Sequence, residues 1–150
     1  MDKPPRDPKE NIITNKDWIA IALYAVAISL SVISALLYCK AYISADNKVA
    51  NNIAFITLAF VQLFHVFNMS SAQSKLLVNE VTTNKFVWLA ILICTGLMLL
   101  VYAVPQIRLV LGLAVLPARA WIIAILAALL PLLLVQLYKI IWGRNNKEIV

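Results

Sequence analysis

Residues 18–39 read WIAIALYAVAISLSVISALLYC, 22 positions without a charge. As a helix rising about 1.5 Å per residue, such a run is long enough to cross a hydrocarbon core of about 30 Å. Three further apolar runs follow, at about 53–69, 86–104 and 121–142. No water is available inside a bilayer to satisfy backbone N–H and C=O groups, so spanning segments are helices or closed barrels. A barrel needs short alternating strands, and these runs do not alternate. The sequence therefore predicts an all-α integral membrane protein, a four-helix bundle occupying 18–142. A leader (1–17) precedes it and a tail (143–150) follows.

Composition supports this reading. The 150 residues are 63% hydrophobic and 13% charged, with mean hydropathy +0.87. Soluble domains are typically about 45–50% apolar and about 25% charged. A chain of this length cannot hide so much apolar surface in one small core, and the lipid bilayer is the expected partner. The +6 net charge is scattered over segment ends, which argues against a nucleic-acid face.

Flanking residues refine the spans. Trp18, Trp88, Trp121 and Trp142 fall at segment ends, where amphipathic rings prefer the headgroup layer. Thr14 to Asp17 reads as a capping box for the first helix, and Pro105 stops the third. Pro4, Pro5 and Pro8 keep the leader extended. The first apolar run is too long for a typical signal-peptide core, so a retained helix is expected. Nine basic residues fall on the side of the termini (Lys3, Arg6, Lys9, Lys16, Lys75, Lys85, Lys139, Arg144 and Lys147). Four fall on the other side (Lys40, Lys48, Arg108 and Arg119). The positive-inside rule then puts both termini in the cytoplasm. The connection from Gln106 to Leu116 is apolar but too short to span. It is expected either to lie in the outer interface or to fold back against the helix ends.

Polar residues inside the spans carry the functional question. Gln62, His65 and Asn68 recur at three-residue steps, about 60° apart around a helix, and form a drifting polar stripe. Such a stripe contributes either to an ion path or to hydrogen bonds between helices, each worth about 1 kcal/mol or less. All seven carboxylates (Asp2, Asp7, Glu10, Asp17, Asp46, Glu80 and Glu148) lie outside the spans. A proton-coupled carrier or a self-sufficient divalent-cation site generally needs a carboxylate within the membrane. His65 is the only histidine and has no carboxylate nearby in its span, which argues against a metal site of its own. Cys39 and Cys94 are expected to be buried, inert thiols. No nucleotide-binding loop, nucleophile–base pair or cofactor motif occurs, and no cofactor is expected.

Two rows of small residues, Ala27/Ser31/Ala35 and Ala120/Ala124/Ala128, permit close helix approach. Pro131 lies inside the fourth span. It removes a backbone bond and leaves the carbonyl of Ala127 without its helical donor, so a kink is expected. A structural hydrogen bond is the expected role of Gln136.

Taken in order, several segments resemble the C-terminal membrane domain of cation-transporting P-type ATPases, the group that includes calcium pumps. Pro4-Pro5-Arg6-Asp7-Pro8, Ile12-Ile13-Thr14 and Asp17-Trp18 resemble the linker before that family's seventh transmembrane helix. The stretch from Thr57 to Met69 (TLAFVQLFHVFNM) is similar to the eighth helix of bacterial members. Asn84 to Trp88 resembles the entry to the ninth helix. Val104-Pro105, Trp121, and Leu130-Pro131 through Lys139 resemble the outer loop and the tenth. The resemblance implies a topology with both ends of the block in the cytoplasm, as the charges do.

It also implies a role for Gln62. In calcium pumps with two ion sites the eighth helix supplies a glutamate, and Gln62 corresponds to it, keeping an oxygen donor without the charge. Cation contact at Gln62 is thus implied only within an assembled pump. The DKTGT phosphorylation motif, the nucleotide-binding domain and the fourth to sixth helices are absent from the sequence. The resemblance therefore implies a membrane scaffold, not catalytic alone, from a truncated or split-gene pump and located in the cell membrane if bacterial. Gln62, His65 and Asn68 would then line a helix interface with the remaining part of the pump. Two rivals stand beside it: a small independent four-helix transporter acting as an oligomer, and a non-catalytic membrane subunit or regulator of a pump.

Overall fold

A computed structural model describes residues 15–69 and 81–145, with side-chain detail for 18–68 and 81–137. The leader up to Thr14, the Lys75 region, the Trp142 ring and the last five residues lie outside the described part. Five α-helices follow in order: α1 (Asn15–Tyr42), α2 (Asn47–His65), α3 (Lys85–Ala103), α4 (Pro105–Val110) and α5 (Ala118–Asn145). A 3-10 turn, Val66–Met69, extends α2. Four of the helices are long and apolar enough to cross a membrane, and no strand occurs among the described residues. The all-α membrane fold expected from hydropathy is therefore the one observed.

Local chemistry sets the helix ends. The Cys39 carbonyl accepts from Ile43 and Ser44, closing α1. Asp46 then caps α2, its Oδ1 accepting the Lys48 N–H at 2.8 Å. With that cap in place α2 begins at Asn47, ahead of the apolar run that starts near Ile53. Asn84 caps α3 in the same way, accepting from Phe86 at 2.9 Å. The Trp88 ring N–H donates to the Thr82 carbonyl at 2.9 Å and fixes the chain's approach to α3.

The Gln106–Leu116 connection makes one short helix and then returns. Pro105 supplies the first helical position of α4, where its missing N–H costs nothing. Gly112, at φ 65°, ends α4 in the left-handed region that favours glycine. The Leu113 N–H reaches back to the Arg108 carbonyl at 2.9 Å. Leu113 and Leu116 pack against the core, while Leu109 and Val110 face outward. The connection folds back against the helix ends and also presents an apolar edge.

Successive spans run in alternating directions, so the bundle has a terminal end and a far end. The far end carries the α1–α2 turn and α4. Packing is unequal: α1, α2 and α5 touch one another along their lengths, whereas α3 has a single buried residue, Tyr102. The core consists of Ala35 and Cys39 from α1, Ala50, Ile53, Ile56, Phe60 and Val61 from α2, Tyr102 from α3, and Ala120, Ala124 and Ala128 from α5. Every large apolar core side chain of the three packed helices except Val135 thus comes from α2, and α1 and α5 meet through small residues. Small side chains let two backbones approach closely, which suits a bilayer where dispersion and hydrogen bonds drive association.

Candidate functional site: polar groups within the apolar bundle

Polar contacts occur at three levels between the two ends. At the far end the Tyr102 hydroxyl donates to Asn52 Oδ1 at 2.9 Å, and both residues are buried. The Tyr102 ring also meets Trp121 edge-on, centroids 5.1 Å apart. This cluster joins α3 to α2 and α5. Asn52 Nδ2 bonds back to the Lys48 carbonyl at 2.7 Å.

At mid-depth, Ser31 of α1 donates its hydroxyl to the Ala127 carbonyl of α5. That carbonyl is the one that Pro131, four residues on, cannot engage because it has no N–H. Ser31 is buried, and Ala35, Ala124 and Ala128 are buried near it along the two small-residue rows. Close packing thus brings the donor to the acceptor that the proline leaves without one. Thr57 is also fully buried, and its hydroxyl has no hydrogen-bond partner among the described residues.

At the terminal end, Gln136 Nε2 donates to Asn68 Oδ1 at 3.0 Å and to the Phe67 carbonyl at 3.3 Å, tying α5 to the end of α2. His65 is half-buried, and the Tyr24 ring of α1 stands edge-on to it at 5.2 Å. Phe67 meets Trp88 of α3 at 5.3 Å.

The stripe on α2 therefore divides. Asn68 turns into the bundle and pairs with Gln136, and His65 lies against Tyr24. Gln62 is exposed. It lies beside exposed Phe55 and Leu58, on the side of α2 away from the α1–α5 core. An amide at membrane depth is costly against lipid, so such residues generally face protein or a cavity. Among the described residues no group of three or more His, Cys, Asp or Glu side chains comes together.

Cys39 is buried, as expected. Cys94 is exposed within α3 because that helix is barely packed. It borders an apolar cleft of about 560 Å³ between α2 and α3. Sequence reading named Gln136 and the Ala127 carbonyl, but it missed the Asn52–Tyr102 pair. The available signal was an asparagine in the first turns of one span and a tyrosine in the last turn of the next.

The helices and their internal polar pairs define a multi-pass α-helical membrane domain. A family model described as "Cation transporting ATPase, C-terminus" matches residues 1–141. The chain belongs to that family, as the ordered segments suggested. It is also similar to "Calcium-transporting ATPase 1" of Bacillus cereus, 28% identical over 91 residues. The matched part is 61% of this chain and 10% of that relative, so the chain spans only a small part of the relative's length. No solved structure matches.

Proposed function

We propose that this domain is the membrane scaffold of a larger cation-transporting P-type pump and does not hydrolyse ATP alone. Its three packed helices form a stiff block, and the Gln62 side of α2 is where the ion-carrying helices of the pump sit. Both termini lie in the cytoplasm, and the pump resides in the cell membrane. The observation that carries the reading is Gln62, an exposed amide in a span whose neighbouring polar residues have partners inside the bundle. Support comes from the family match and from the similarity to a calcium-transporting ATPase. In the assembled pump the Gln62 oxygen either contacts the cation or bonds a neighbouring helix.

Photo-crosslinking tests the reading. A photoreactive residue replaces Gln62 in the protein in its own membrane, with exposed Leu126 of α5 as the reference position. The expected product at position 62 is a crosslink to other transmembrane helices of a P-type ATPase, in the same or a separate polypeptide. Only lipid adducts at position 62, as at 126, would overturn the proposal.

A further inference from the structure

We propose that the cleft between α2 and α3 binds one anionic phospholipid, with an acyl chain in the cleft and the phosphate at Arg108. The proposal is independent of the pump reading.

The cleft is bounded by Phe55, Ala59 and Leu63 of α2, by Leu97 and Val101 of α3, and by Leu113 after α4. At about 560 Å³ it lies within the roughly 300–1,000 Å³ range of small-molecule sites. It exists because α3 is attached near its two ends, by Trp88 and by Tyr102, and stands off between them. Apolar walls at membrane depth do not hold water, and an empty gap of this size forfeits dispersion contacts along both helices. The filler available at that depth is an acyl chain.

Arg108 selects the headgroup. The Tyr102 and Leu113 wall at the far end of the cleft is built on this arginine. Arg108 Nη1 donates to the Tyr102 carbonyl at 3.2 Å, and the Leu113 N–H donates to the Arg108 carbonyl. Among the described residues the Tyr102 carbonyl is the only partner of the guanidinium, so other N–H groups remain for a phosphate, which guanidinium recognises well. The far end carries Lys40, Lys48, Arg108 and Arg119 against one acid, Asp46. Asp46 is occupied in capping α2. The field there favours an anion.

Native mass spectrometry of the full chain in detergent, with phosphatidylglycerol or phosphatidylcholine added, provides the test. One phosphatidylglycerol is expected to stay bound per chain, in preference to phosphatidylcholine. Arg108→Gln should lower the bound fraction about tenfold, the effect of losing one hydrogen bond to a charged group. Leu97→Trp should fill the cleft and abolish retention with helix content unchanged. If that variant misfolds, Arg108→Gln decides, because it replaces none of the side chains that line the cleft. Equal retention of both lipids with no effect of Arg108→Gln overturns the proposal, as does a chain that retains neither lipid or fills the cleft by dimerising.

Discussion

Replacing Ser31 with alanine removes one hydroxyl and almost no volume from the close contact between α1 and α5. The consequence follows from Pro131. In an ordinary helix the Ala127 carbonyl would keep its donor from residue 131, and losing the Ser31 hydroxyl would cost only the interhelical bond. Such bonds average about 0.6 kcal/mol in membrane proteins and reach about 1.7. Here position 131 has no N–H, so Ser31→Ala leaves a part-buried carbonyl without that donor, which moves the cost toward about 1–3 kcal/mol. The expected loss is about 2 kcal/mol, more than tenfold in the unfolding equilibrium. Titrating the purified chain with SDS, followed by far-UV circular dichroism, measures it. The decisive comparison is a cycle with Pro131→Ala, which restores an N–H four residues beyond Ala127. In that background Ser31→Ala should cost well under 1 kcal/mol, whatever Pro131→Ala does by itself. An equal cost in both backgrounds would show that Ser31 acts through packing alone and that the missing N–H of Pro131 plays no part.

Tyr102→Phe should cost about 1 kcal/mol by the same titration. The loss should disappear in an Asn52→Ala background, because the hydroxyl's partner is then gone. Gln136→Leu should destabilise the chain by about 1 kcal/mol through the Asn68 and Phe67 contacts, and an unchanged midpoint would deny those bonds any net value. Gly112→Ala meets no atom within 4 Å, so its cost should be purely conformational, about 1–2 kcal/mol for an L-residue at φ 65°. Gln62→Leu should shift the stability of the chain by no more than about 0.5 kcal/mol, since the side chain is exposed; a larger loss would mean that it has a structural partner inside the bundle.

What the sequence revealed follows from what each signal measures. Hydropathy reports transfer into lipid, so it located all four spans, α3 as clearly as the rest. It carries no information on whether a span touches its neighbours, and the loose attachment of α3 was invisible to it. The start of α2 was hidden because Asn47, Lys48, Asn51 and Asn52 count as polar, although Asp46 and Tyr102 provide the bonds that hold that end in the helix. Both halves of the mid-depth contact were readable: a small-residue row containing Ser31, and a carbonyl released by Pro131. Their meeting depends on the register of α1 against α5, which no local pattern encodes. The stripe on α2 was equally plain as a stripe. A three-residue step drifts around the helix, and only the positions of α1 and α5 decide that Asn68 and His65 turn inward and Gln62 does not.

The attachment of α3 near its ends has a mechanical consequence. A rod pinned at two points and free between them bends most at its centre, near Gly96, where a side chain added at that position would meet nothing within 4 Å. Lateral pressure from the bilayer would therefore bow this helix before it strained the three-helix block. Lipids that change membrane thickness or tension would act first on α3, and the rest of the domain would feel the load through Trp88 at one end and through Met98, Tyr102 and the link to α4 at the other.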